Sequence, residues 1–384
     1  MTGAGAPALG VYIHWPYCAR ICPYCDFNVV RARGRTHEEA ALAQAIAADL
    51  EAQAAMLGPR TLVSIYFGGG TPSLMPPEAV ARLVETARRL WPGSDPAPVE
   101  VSLEANPTDA EAGRFADLRA AGVERLSLGV QAFRDEHLRF LGRAHGADET
   151  LRAVATAAAV FPRLSLDLIY ALPGQAVGEW RETLHRAADM GAEHLSPYQL
   201  TIEAGTPFDR AVRRGRFAPA DEDAGAELYE ATQNTLEALG FDAYEVSNHA
   251  KGQAARARHN LVYWRGEDYV GVGPGAHGRL TRPDGGRLAA EAEARIGAYI
   301  DRVGAEGTGA VFTPMRAIDR AEERVLMGLR TDEGVALAEL SALPLTRLAE
   351  LIDSGLLVVA HGRLTATRAG RLVLDHLTRR LILG

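Results

Sequence analysis

The segment Tyr12-Ile13-His14-Trp15-Pro16-Tyr17-Cys18-Ala19-Arg20-Ile21-Cys22-Pro23-Tyr24-Cys25 contains all three cysteines of the 384-residue chain, spaced C-x3-C-x2-C. Three thiolates can hold three corners of a cubic [4Fe–4S] cluster, which normally takes four cysteines. The fourth iron is then open to a ligand that is not protein. A disulfide framework is excluded by the odd number and by a chain too long to need stapling. Zinc is the rival, because His14 with the three cysteines would make a closed Cys3His site. Structural zinc sites usually draw ligand pairs from two separated knuckles, whereas these candidates share one short segment. Inert buried thiols would not explain the clustering.

Two further strings have chemical potential. Gly68-Gly69-Gly70-Thr71-Pro72 offers backbone that can approach a ligand without side-chain obstruction, although alone it reads as a tight turn. Arg258-His259-Asn260-Leu261-Val262-Tyr263-Trp264 joins an imidazole, a good axial iron ligand, to an aromatic pair that can pack on a flat macrocycle. The plainer alternative is a satisfied histidine capping a turn beside two core aromatics. His277 and His14 are further candidates for such a ligand.

The elements that must position these groups follow from periodicity. Apolar strand-like runs are expected at Gly10–Trp15, Leu62–Phe67, Glu100–Glu104, Arg125–Gln131, Arg163–Tyr170 and His194–Leu200. Between them lie helical patterns such as Val80, Leu83, Val84, Ala87, Leu90 and Trp91. Thr36-His37-Glu38-Glu39 and Thr108-Asp109-Ala110-Glu111 read as capping boxes that open helices. Strands alternating with helices imply an α/β fold with a parallel sheet, either open and doubly wound or a partial barrel. The unusual residues fall at the carboxyl ends of the strands, where such folds carry their sites.

Residues from about Ala204 to Arg279 read as an irregular extension with one helix near Asp221–Leu239. Beyond Thr313, helices at Ile318–Leu329 and Leu345–Ile352, a hairpin at 355–365 and a last helix at Ala369–Leu381 suggest a winged-helix-like module. The expected division is 1–203, 204–312 and 313–384. A net charge of −8, with no basic stripe in the last module, gives no general attraction to nucleic acid. Lys251 is the only lysine, and its neighbours do not fit a P-loop. No apolar run is long enough to span a membrane, and the first ten residues lack the pattern of a secretory signal. Clustered free cysteines suggest a reducing cytoplasm.

C-x3-C-x2-C after a strand resembles the radical S-adenosylmethionine (SAM) superfamily, in which SAM chelates the open iron. The text Y-I-H-W-P-Y-C and the later motifs resemble the branch of oxygen-independent coproporphyrinogen-III oxidase-like proteins and HemW-like haem chaperones. The resemblance implies a partial (β/α)6 TIM-like barrel with a C-terminal HemN-type winged-helix-like domain. It implies Cys18, Cys22 and Cys25 as cluster ligands. It implies SAM contacts from Tyr12, Tyr24, Gly69, Gly70, Thr71, Glu104, Gln131, Arg143 and Asp167, with Glu104 on the ribose hydroxyls. Core packing of Tyr24 and a surface salt bridge for Arg143 remain open as alternatives. Arg20 and nearby amides would offset the cluster's negative charge.

The H-N-x-x-Y-W string is associated with haem in HemW-like members, which implies haem contacts from His259, Asn260, Tyr263 and Trp264. The dehydrogenases carry C-x3-C-x2-C-x-C, and Phe27 stands at that last position in this chain. They also have a long segment before the first cysteine, which here is residue 18. The resemblance therefore implies a haem chaperone with a [4Fe–4S] cluster and SAM, passing haem to respiratory proteins, with peripheral membrane association left open. Its alternatives are a porphyrinogen-acting radical SAM enzyme and a zinc-containing, non-catalytic interaction protein.

Overall fold

The computed structural model describes residues 6–32, 34–92 and 98–383. Its centre is one mixed sheet whose parallel strands are β1 (Ala8–Trp15), β2 (Thr61–Gly69), β3 (Glu100–Ala105), β4 (Arg125–Gln131), β5 (Arg163–Tyr170) and β6 (His194–Gln199). Each pairs in parallel with the next, as helical crossovers require. Their apolar residues, such as Ile13, Phe67, Leu103 and Leu128, are buried beneath helices. Fully burying a side chain of that size contributes about 1.5–3 kcal/mol.

The helix Pro77–Leu90 buries Val80, Leu83, Val84 and Ala87, the face expected from their spacing. The cap at Thr108 forms in part: its hydroxyl accepts from the Glu111 backbone N–H at 3.2 Å, but the Glu111 carboxylate turns to the Asn106 N–H and the Ser73 hydroxyl. The first expected box does not form. Arg35 occupies the cap position, Thr36 is already helical, and no side chain caps that end.

The expected irregular extension is instead part of the sheet. β7 (Asp242–Glu245) and β8 (Asn248–Ala250) continue it past β6, while β9 (Asp268–Val272) lies parallel to β1 on the opposite side. β10 (His277–Thr281), β11 (Arg287–Ala292) and β12 (Ala310–Pro314) then extend that side antiparallel. The full order is β12-β11-β10-β9-β1-β2-β3-β4-β5-β6-β8-β7, so the sheet keeps two edges and does not close. Val270, Val272, Leu280 and Ala290 share one core with the parallel strands. Residues 204–312 therefore have no core of their own at that end.

A short helix, Arg258–Trp264, plugs the amino end of the curved sheet. Glu100 at the start of β3 accepts from the His259 backbone N–H at 3.3 Å and from Arg163 of β5 at 2.5 Å. Arg163 also donates to the carbonyls of Ala254 and Arg256, tying the plug across the strands.

Residues 317–383 form a second unit with its own core, including Val325, Leu340, Leu364 and Leu377. Its small sheet pairs β13 (Val335–Ala336) with β15 (Arg363–Ala366), and β15 with β14 (Leu357–Ala360), beside the helices. The expected hairpin is present. The expected last helix is interrupted at Val373, giving Arg368–Leu372 and Leu374–Leu383. The unit is fastened to the plug by Arg324 donating to the Trp264 carbonyl at 2.7 Å and by Arg330 stacked on the Trp264 ring.

Candidate functional site

The carboxyl ends of the parallel strands and the cysteine loop enclose a cavity of about 460 Å³. The loop leaves β1 and is held by a two-residue parallel pairing of Tyr17–Cys18 with Val30–Arg31. Cys18 is buried and Cys22 and Cys25 are half-buried; all three line the cavity as free thiols. Burial pushes the Cys18 thiol up to about 11, so a thiolate there needs cationic iron to offset it.

The glycine string presses its backbone against this loop. A Cβ on Gly70 would stand 2.7 Å from the Tyr17 carbonyl oxygen and 2.8 Å from that of Pro16. Gly69 has φ +107°, and a Cβ there would meet the His14 ring at 2.4 Å. Bare backbone is therefore required beneath the cysteines, and Thr71 donates its N–H to the Tyr17 carbonyl at 2.8 Å.

His14 itself does not line the cavity. Its Nε2 is 2.9 Å from the Asn28 carbonyl oxygen, and its Nδ1 is 3.0 Å from the Tyr12 hydroxyl. With both nitrogens engaged it supports the loop, against the Cys3His zinc reading. No three His, Cys, Asp or Glu side chains among the described residues converge on a single ion. A cluster asks for something different, since each cysteine takes a different iron.

Of the expected SAM residues, Tyr24, Gly69, Gly70, Thr71, Glu104, Gln131, Arg143 and Asp167 all line the one cavity. Tyr12 does not; it packs against Tyr66 and holds His14. Glu104 accepts from the Tyr66 hydroxyl at 2.8 Å and the Gly69 N–H at 3.2 Å. Burial nevertheless pushes it up to about 7. Asp167, pushed by burial to about 6, accepts from the Ser127 hydroxyl at 3.1 and 3.0 Å. Gln131 is held at φ +65° with its buried Oε1 lacking a partner.

Arg143 is not a surface ion pair. It donates to Cys22 Sγ at 3.4 Å and to the Gly129 carbonyl at 2.9 Å, and its buried Nε has no partner. Arg20 is exposed and, among the described residues, reaches the Arg143 carbonyl alone, at 3.4 Å. Tyr24 lines the cavity and packs on Phe208. A three-thiol rim, a side-chain-free cradle, a buried carboxylate acceptor and orphaned amide and guanidinium atoms fit a three-cysteine cluster beside a polar, cationic cofactor. When bound, such a cluster supplies an open iron and an electron.

The H-N-x-x-Y-W string lies in the plug, away from the surface. His259 is buried, with Nδ1 2.9 Å from the Ser64 hydroxyl and Nε2 2.7 Å from the Tyr263 hydroxyl. Its ring stacks on Tyr66 at 4.9 Å. Burial lowers it to about 3, so it stays neutral. Axial ligation would take one ring nitrogen from its hydroxyl partner and bring a buried ring to the haem. Of the string's expected haem residues, only Asn260 reaches the cavity, while Trp264 meets the C-terminal unit. His277 is exposed on β10. Residues not singled out from sequence also line the cavity, namely Arg125, Ser127, His194, Ser196 and Tyr198. Strand alternation from Gln131 back through Ser127 to Arg125 is the signal that could have found two of them.

Comparison with known proteins agrees with this geometry. The Radical SAM superfamily model matches residues 12–187, and the HemN C-terminal domain model matches 315–373. "Radical S-adenosyl methionine domain-containing protein 1, mitochondrial" of Bos taurus is 37% identical over 98% of this chain and 88% of its own. "Heme chaperone HemW" of Mycobacterium tuberculosis is 37% identical over 97% of this chain and 94% of its own. "Heme chaperone HemW" of Escherichia coli is 42% identical over 73% of this chain and 72% of its own. In fold, the chain matches the structure of coproporphyrinogen III oxidase (HemN) from Escherichia coli with a TM-score of 0.78 at 22% identity, covering 97% of this chain and 89% of that one. The superfamily implies a [4Fe–4S] cluster and SAM. The chain belongs to the radical SAM superfamily, as a HemW-like protein with a HemN C-terminal domain.

Proposed function

We propose that this protein is a haem chaperone that carries a [4Fe–4S] cluster on Cys18, Cys22 and Cys25, binds SAM in the cavity beside them, and delivers haem to respiratory proteins. The observation that carries the reading is the near full-length similarity to proteins named heme chaperone HemW, together with three cysteines on the rim of one cavity. Phe27, where the dehydrogenases have a further cysteine, is 62% exposed at the cavity mouth, which supports a carrier over a porphyrinogen-decarboxylating enzyme. The protein works in the cytoplasm on this reading. No helix among the described residues is long and apolar enough to cross a membrane.

In this reading Glu104 accepts from the SAM ribose hydroxyls, and Gln131, Arg143 and Asp167 hold its polar groups. The H-N-x-x-Y-W string acts chiefly as the joint between barrel and C-terminal unit. Its haem contact would come through Asn260 or Trp264 rather than through the engaged ring of His259. The test is anaerobic reconstitution, haem loading, and transfer to a haem-free acceptor protein. Haem uptake with transfer supports the reading. Decarboxylated porphyrin product, or no haem uptake, overturns it.

A further inference from the structure

β4 presents alternate residues to the cavity: Arg125, Ser127, Gly129 and Gln131. Gln131 sits at the rim near Arg143. Arg125 lies six residues below, on the order of 20 Å along the strand at about 3.3 Å per residue. It is 2% exposed, and neither its Nε nor its Nη2 has a hydrogen-bond partner. An arginine cannot shed its charge, so burying one with idle donors is costly unless an acceptor arrives. No ion pair to Arg125 exists among the described residues.

The surrounding groups make no direct pair with it. His194 is buried, with Nδ1 2.7 Å from the Ser165 hydroxyl and Nε2 2.8 Å from the Tyr244 hydroxyl. Burial and then the charge of Arg125 hold His194 well below its ordinary value, and the same two causes lower His259. Asp167 on the cavity wall feels the charge of Arg125 but makes no ion pair with it, and its oxygens accept from the Ser127 hydroxyl instead. Asn260 and Ser196 also line the cavity, held by long hydrogen bonds to Asn248 Oδ1 at 3.4 and 3.3 Å that an incoming acceptor could replace.

We propose that the plugged amino end of the curved sheet is an anion site, built on the idle Nε and Nη2 of Arg125 with Asn260 and Ser196 beside it, that takes a small carboxylate. The guanidinium fork matches a carboxylate in two parallel hydrogen bonds. The site is distinct from the cysteine rim and does not depend on haem. A carboxylate seated there would lie beneath a cofactor bound at the rim, so one small acid could be held in the barrel together with it.

Acetate is the probe. The cluster-loaded chain without SAM is melted at constant ionic strength as gluconate, a bulkier carboxylate, is replaced by acetate. The expected result is a saturable rise in Tm for the parent protein. In Arg125→Met half-saturation weakens at least about tenfold, while the Tm in gluconate is no lower than the parent's because the buried charge is gone. Arg125→Lys keeps a weaker response, and decides the matter should the methionine variant not fold. A bromide-soaked crystal of the parent should show an anomalous peak beside Arg125. An equal acetate response in parent and both variants, or a parent that neither responds nor shows the peak, overturns the proposal.

Discussion

Arg143 Nη1 lies 3.4 Å from Cys22 Sγ, while Nη2 of the same guanidinium donates to the Gly129 carbonyl at 2.9 Å. One side chain thus ties the cysteine loop to β4, across the cavity where the cofactors belong. Its charge also stands beside sulfur that becomes strongly anionic when ligated to iron.

Arg143→Met should therefore weaken both functions of the rim. SAM affinity should fall about 10–100-fold, the scale typical of lost outer-shell support, and the cluster should become harder to reduce. Anaerobic SAM titration and redox-monitored visible spectra check this. A variant with unchanged affinity and potential would make Arg143 a packing residue only.

Replacing Gly70 by alanine tests the cradle. Its Cβ would stand 2.7 Å from the Tyr17 carbonyl oxygen, so the cysteine loop must move. Gly70→Ala should fold, because the strain is confined to the loop, yet retain less iron per chain after reconstitution. Gly174→Ala is a control of the opposite kind: nothing stands within 4 Å of its Cβ, although its φ of +74° carries a local cost. Its iron content should equal the parent's.

Glu104 gives a pH prediction with two opposite signs. Its carboxyl is raised from 4.5 to about 7 by burial, so the folded state keeps a proton that the unfolded state releases. That contribution is fully present below about pH 4.5 and is lost as pH rises through about 7. Glu104→Gln should flatten the fall in Tm between pH 5 and pH 8 and raise stability at the upper end, each pKa unit being worth about 1.4 kcal/mol. SAM binding should move the other way, since the ribose hydroxyls need the ionised acceptor: the parent should bind better as pH rises through about 7, and the glutamine variant more weakly at all pH. Thermal melts and SAM titrations across that range check both signs.

His259→Ala separates the joint from the ligand. It leaves the Ser64 and Tyr263 hydroxyls without their shared partner and opens a cavity beside Tyr66. A loss of about 2–4 kcal/mol in stability is expected. The Soret band of haem bound to the folded variant should be unchanged. A lost or shifted band with full stability would make His259 the axial ligand after all.

The parallel strands were legible in the sequence because strands buried on both faces read as near-continuous apolar runs. β2, for example, runs Thr61–Gly69 as its Leu-Val-Ser-Ile-Tyr-Phe run suggests. β9 and β10 were not, because glycines at 271, 273 and 275 interrupt the apolar pattern there. Gly271 is glycine because a Cβ would meet the His277 carbonyl oxygen on the next strand at 1.9 Å. The cysteine rim was fully legible from spacing. The burial of His259 was not, since a histidine in a polar string gives no sign that it faces a barrel interior. Arg125 was hidden for a similar reason: an arginine opening a strand reads as a solvent edge until the curved sheet encloses it.

The central claim is an iron–sulfur cluster held by Cys18, Cys22 and Cys25 with one iron left for SAM. Its most direct test is anaerobic reconstitution of the chain with iron and sulfide, followed by iron analysis and electron paramagnetic resonance of the reduced protein with and without SAM. The account predicts about four iron and four sulfide per chain and a signal that changes when SAM is added. Zinc in place of iron, or a cluster signal indifferent to SAM, would contradict it.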